Sequence, residues 1–196
     1  MRERIEKAEN GSVFVSTDFT DIADRKTVNM GLIRLSQDGM IKKVLFGVYY
    51  KPELNSLLGE AVAPSPNKVA HAVARNFGWT IVPCGDAALN ILGLSTQVPS
   101  CWLYVSDGAY KEYSFENTTI KFKHTSNKEI SKLSYKSALT IQALKALGKE
   151  NVTEQTLLRL KKALTDEEKS KMLSESKSVT SWVYELIKTI CKDEIK

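Results

Sequence analysis

Apolar residues return every three to four positions over most of this chain, and that rhythm is broken by short runs rich in β-branched and aromatic residues. In "DRKTVNMGLIRLSQDG" (residues 24–39), Val28, Leu32 and Leu35 stand at i, i+4 and i+7, so one face of a helix is expected to be buried. Asp24 is placed to cap its first amides, and Gly39 ends it, because a residue just past the last turn commonly needs positive φ. At about 100° per residue, the opposite face carries Lys26, Met30, Arg34 and Gln37, flanked by Thr27 and Asn29. The run "MIKKVLFGVYYKP" that follows reads as a tight hairpin, with strands Ile41–Val44 and Val48–Tyr50 and Pro52 closing it.

Upstream, residues 4–8 give a first amphipathic helix, and Val13–Val15 offers a third strand for the hairpin. "STDFTDIAD" predicts a short helix capped by Ser16 or Thr17, with Phe19, Ile22 and Ala23 facing inward. After the loop "ELNSLLGEAVAPSP", Ser65 with Pro66 opens a helix that buries Val69, Ala70, Val73 and Phe77 and stops at Gly78. "WTIVPCG" and "CWLYVSDG" predict buried strands, Asp86 is expected to cap a short helix through Leu92, and "TTIKFKHT" alternates inward Ile120 and Phe122 with outward Lys121 and Lys123. From Leu133 onward helices are expected throughout. "YKSALTIQALKALG" stops at Gly148, Thr153 opens the next, Thr165 and Glu168 form a capping-box pattern, and Val179, Trp182, Val183, Leu186 and Ile190 mark the last.

Composition adds limits. The chain has 196 residues, 42% of them hydrophobic and 26% charged, which suits a folded, soluble protein with a packed core. No apolar run approaches the roughly 20 residues that span a bilayer, and "MRERIEKAEN" has no apolar stretch that could direct secretion, so no membrane partner and a cytoplasmic location are expected. Cys84, Cys101 and Cys191 are widely separated and odd in number, which suggests reduced thiols. Net charge is +5 and pI about 9.0, too mild to decide a partner. Its distribution says more. Between residues 25 and 51 stand Arg25, Lys26, Arg34, Lys42, Lys43 and Lys51 against a single acid, Asp38.

Helix, strand, short helix, tight turn, longer helix and basic hairpin is the order of a winged helix-turn-helix, in which the second helix of the turn enters the major groove. The fold class expected is therefore α+β. A winged helix-turn-helix DNA-binding domain would span residues 1–54, and a mixed α/β domain with a helical C-terminal portion residues 60–196. The residues expected to meet double-stranded operator DNA are Arg25, Lys26, Thr27, Asn29, Met30, Arg34, Lys42 and Lys43. The plainer alternative is a solvated edge hairpin whose lysines only guard against strand pairing.

The run "DFTDIADRKTVNMGLIRLSQDGMIKKVLFGVYYKP" resembles the N-terminal winged helix of AbiEi-type antitoxins, from the abortive-infection (type IV) class of bacterial toxin-antitoxin systems. "VPCGDAALNILGLSTQVPSCWLYVSDG" resembles the same family in its "LGL" and "TQVP", so the likeness runs from about Asp18 to about Thr125. The resemblance implies a transcriptional regulator that binds the operator of its own operon and an adjoining domain that neutralises a nucleotidyltransferase-like toxin, directly or indirectly.

An enzyme is the rival class. Cys84 in "PCGDA" stands at a strand-to-helix junction where nucleophiles occur, with His71 or His124 as imaginable bases. The chain has neither a G-x-S-x-G elbow nor a phosphate loop, and its histidines and cysteines lack zinc-site spacing. No catalytic residue, metal or cofactor is expected. A third reading keeps the winged helix and makes the remainder an effector or oligomerisation domain, giving a one-component repressor without a toxin partner. Oligomeric state is not readable from the sequence.

Overall fold

A computed structural model of the chain describes residues 1–54, 61–125, 130 and 132–192. The fold is α+β, in two compact units: Met1–Trp79 with Tyr113–Thr118, and Thr80–Glu112 with Thr119–Lys196. The break expected between residues 54 and 60 thus falls inside the first unit, and residues 55–60 lie outside the described residues.

The first unit begins with α1 (Arg2–Lys7), β1 (Val13–Val15) and a single 3-10 turn over Ser16–Phe19. It continues with α2 (Arg25–Gln37), β2 (Lys42–Leu45) and β3 (Val48–Tyr50). The sheet order is β1-β3-β2, with Val13 opposite Tyr50 and Val15 opposite Val48 in an antiparallel ladder. Asp24 accepts from the amides of Lys26 at 2.9 Å and Thr27 at 3.1 Å, and Gly39, at φ 77°, turns the chain out of α2. Val28, Leu32 and Leu35 are buried with Ile5, Phe14, Phe19, Ile41 and Tyr49 in one cluster, the face that the 3.6-residue period selects.

The short helix is where expectation and structure part. Neither Ser16 nor Thr17 caps it; the Asp18 carboxylate instead accepts the Val15 amide at 2.9 Å from inside the turn. The chain then leaves its helical path to set Asp24 as the next cap, and Ile22, expected inside, is 48% exposed. Lys51 closes the sheet. Its ammonium donates to the carbonyls of Glu6 at 2.7 Å and Ala8 at 2.8 Å, at the C-terminal end of α1, where a cation also suits the helix dipole.

Two short strands, β4 (Glu53–Leu54) and β5 (Ala61–Val62), pair where only a loop is expected. α3 (Pro66–Phe77) follows with Pro66 at its first position and buries Val69, Ala70, Ala72 and Val73. Phe77, the last residue of α3, is 49% exposed rather than buried; left-handed Gly78 ends the helix there, and Trp79 stacks on the Phe77 ring at 4.7 Å.

A four-stranded sheet follows, made of β6 (Ile81–Pro83), β7 (Cys101–Ser106), β8 (Lys111–Phe115, whose last three residues are counted in the first unit) and β9 (Thr118–His124, counted in the second from Thr119), in the order β6-β7-β9-β8, with α4 (Asp86–Ile91) after β6. β6 runs antiparallel to β7, whereas β7 and β9 are parallel, with Trp102 opposite Ile120 and Tyr104 opposite Phe122. Gly85, at φ 58°, is the N-cap of α4 and no side chain caps it; Asp86 is the first helical residue, where its charge suits the positive end of the helix. α5 (Tyr135–Leu147) is buried at every position from Ser137 to Leu144. Its two sides serve two clusters: Ala138, Leu139 and Ala143 pack with Val82 and Val105, and Ile141 and Leu144 with the helices that follow. Those are α6 (Glu154–Lys162), α7 (Asp166–Glu175) and α8 (Ser181–Cys191). The expected capping box of α7 is present, Glu168 accepting from the Thr165 amide at 2.9 Å and Thr165 from Glu168 at 3.2 Å. Trp182 is half-buried against the helical cluster, as core packing.

Candidate nucleic-acid interface

α2 and the β2–β3 hairpin flank a cleft of about 300 Å3 lined by Arg25, Asn29, Ile33, Lys43, Phe46, Tyr49 and Asn76, with Ser16 and Gly47. Arg25, Asn29 and Ile33 are spaced i, i+4 and i+8, so they follow one line along α2 toward the hairpin. Of the expected DNA-facing residues, the cleft brings together Arg25, Asn29 and Lys43. Lys26, Thr27, Met30, Arg34 and Lys42 are exposed around it without lining it.

Several of these groups already have work inside the fold. The Arg25 guanidinium donates to the Asn76 side chain of α3 at 3.0 Å, which fixes its direction and leaves its other N–H groups for a ligand. The Thr27 hydroxyl donates to Asp24 at 2.6 Å, so it offers a partner only its acceptor capacity. That bond, with the Thr27 and Lys26 amides, holds the Asp24 carboxyl below its usual pKa, and the cap is therefore charged at neutral pH. Asp38, the one acid among the clustered basic residues, pairs with Arg2 at 2.7 Å. An anion approaching α2 meets a surface with little opposing charge.

Sequence reasoning missed the rest of this lining: Ser16, Ile33, Phe46, Gly47, Tyr49 and Asn76. Phe46, at the hairpin tip, is 94% exposed, with the Lys43 ammonium 5.4 Å from its ring centroid. Its exposure could have been suspected from its place between two strands and before a glycine. Ile33 and Asn76 give no such signal, Asn76 because it comes from a helix fifty residues away.

A second cavity in the same unit, of about 520 Å3, lies between β1 and α3 and is lined by the charged Arg4, Asp18, Lys68 and Arg75 and by His71. Arg75 grips Asp18 through two nitrogens at 2.9 and 3.1 Å and donates to the Val13 carbonyl. Arg4 donates to the Asp18 carbonyl at 2.8 Å and pairs with Asp21. Burial, and then the nearby Arg75 charge, lower the His71 pKa, so its imidazole is neutral at pH 7.

A family model described as DUF6088, a family of unknown function, matches residues 1–172. The chain belongs to DUF6088. A comparison with curated proteins gives no match. The DUF6088 match takes in the whole α2–hairpin surface and most of the second unit, so both candidate regions lie within the family's shared sequence.

The alternatives to a binding surface find less in this DUF6088 chain. Cys84 is buried with Val82, Ala88 and Val105, and burial pushes its thiol up to about 11, the reverse of what an activated nucleophile needs. His124 directs Nδ1 at the Gly108 carbonyl, 2.9 Å away. Among the described residues no group of His, Cys, Asp and Glu side chains could hold a metal ion. No helix among them is long and apolar enough to cross a membrane.

Proposed function

We propose that this chain is a DNA-binding transcriptional regulator, not an enzyme, whose first unit acts as a winged helix with α2 as recognition helix and the β2–β3 hairpin as wing. The observation that carries the reading is the cleft in which a helix and a hairpin bring Arg25, Asn29 and Lys43 to one surface. The order α1, β1, 3-10 turn, α2, β2, β3 and the sheet order β1-β3-β2 agree with such a motif. In this arrangement Lys26 and Asn29, near the start of α2, meet base edges, and Arg34, Lys42 and Lys43 meet phosphates. Asn29 suits adenine, whose N6 and N7 a carboxamide reads with two hydrogen bonds.

The likeness to AbiEi-type antitoxins between Asp18 and Thr125 extends the proposal: the regulator is the antitoxin of a nucleotidyltransferase-like toxin encoded beside it, and the second unit opposes that toxin. A second reading, a repressor answering to a small molecule, is favoured by the 520 Å3 cavity beside β1 and α3.

The DNA-binding proposal is tested by selecting a duplex from a random 25-base-pair library with the full chain and titrating it against salt. Substituting Lys43 by Ala should weaken all duplexes alike and flatten the log–log salt slope by about one unit. Failure of the full chain to enrich or retain any duplex at low salt overturns it. Co-expression with the neighbouring gene, followed by co-purification and a growth test, separates the antitoxin from the repressor.

A further inference from the structure

We propose that Phe46 is a wedge: its ring enters the minor groove beside the major-groove segment that α2 occupies, parts two base pairs and bends the duplex. This rests on the DNA-binding reading above and assigns the hairpin tip a part of its own in it.

Within the fold the Phe46 ring meets the exposed Lys43 ammonium and buries almost nothing. The residue lies in the two-residue connection between Leu45 and Val48, where Gly47 supplies the positive φ of 73° that the turn requires. Turns of this kind favour small or amide side chains, and at 94% exposure the ring gains almost nothing from burial. A bare aromatic at the most projecting point of a hairpin is explained by what covers it in a complex.

The surroundings select the occupant. The Lys43 ammonium lies 5.4 Å from the Phe46 centroid, and Lys42 is exposed on the same strand. The ladder also slips at Val44, so that Lys43 pairs with Tyr49 but Leu45 with Val48; such a bulge increases local twist and aims the tip away from the sheet plane. An exposed apolar plate with an ammonium at its face fits an apolar stack enclosed by anions, which is the section through a DNA duplex. Minor-groove proteins use phenylalanine in this way, partly unstacking one step and kinking the helix axis by about 20–90°. The adjoining cleft with Arg25 and Asn29 supplies the contacts that make the bend favourable.

The test uses the full chain and the selected duplex, labelled at both ends for energy transfer. Wild type should bind and shorten the end-to-end distance. Phe46→Ala should bind about tenfold more weakly and leave the duplex straight, with a melting curve little changed because the ring is 94% exposed and its Lys43 contact lies in solvent. Phe46→Trp should restore the bend and show indole fluorescence quenched on binding. Wild type and Phe46→Ala alike in affinity and bend would overturn the wedge and leave the DNA reading standing. No duplex bound by wild type would overturn both. Self-association, or binding to anionic vesicles, that Phe46→Ala abolishes without touching DNA affinity would assign the tip to a second copy or to a lipid surface and overturn the wedge.

Discussion

Replacing Leu32 by Ala tests the helical phase on which the interface depends. Leu32 is fully buried among Ile5, Phe14, Phe19, Val28 and Ile41, which come from α1, β1, the 3-10 turn, α2 itself and the approach to the hairpin. The change removes three carbons, about 2.4 kcal/mol at roughly 0.8 kcal/mol each. A residual cavity adds to that, because the neighbours are anchored in separate elements and cannot all close in. The expected loss is about 3–4 kcal/mol, within the span of about 2–5 kcal/mol seen for buried leucines. Ile33, the next residue, is 41% exposed, and Ile33→Ala should cost about 0.5 kcal/mol or less. Since two units need not unfold together, the assay is native-state hydrogen exchange of the α2 amides in increasing urea, with DNA binding measured alongside. Equal losses for the two variants, or a larger one for Ile33→Ala, would refute the phase and with it the outward direction of Lys26 and Asn29.

Asn29→Ala should cost about 1–3 kcal/mol on the selected duplex and relax its sequence preference; equal losses on selected and random DNA would count against base contact. Iodoacetamide at pH 8 should label exposed Cys101 well before Cys84, whose pKa of about 11 leaves roughly one thiolate in a thousand, and peptide mass mapping reads the order. A fragment ending at residue 54 should be less stable than one ending at Trp79 by about 3 kcal/mol or more, because it loses the buried Val69 and Val73 and the Arg75–Asp18 pair; comparable urea midpoints would restore the earlier boundary.

The legible parts of the fold were those whose signal is local. α2 announces itself through three apolar residues on one face, a capping aspartate and a terminal glycine, and the hairpin through β-branched runs around Phe46 and Gly47. β8, over "KEYSF", escaped notice because only its last residue is buried, and an edge strand of that kind shows no apolar alternation. The parallel pairing of β7 with β9 was equally out of reach: it is made by a crossover, and neither strand carries a mark of its partner. Phe77 and Ile22 failed for a shared reason. Each sits where the chain is leaving a helix, so the period that works in mid-helix no longer fixes direction. For the site, residue types were readable along α2, whereas the cleft needed Asn76 and Tyr49, which no spacing joins to Arg25.

Asp18 ties together positions that are remote in sequence: its carboxylate takes the Val15 amide and the Arg75 guanidinium, and its carbonyl takes Arg4. Such a knot leaves an evolutionary trace. A relative without an acid at position 18 would leave Arg75 as an uncompensated charge against the Val13 carbonyl, so the two positions should be exchanged as a pair in DUF6088 sequences. Position 4 should drift more freely, because Arg4 has a second acid in Asp21. Substitution histories at positions 18 and 75 would thus record the packing of α3 on the 3-10 turn across lineages, whatever the residues on the exposed face of α2.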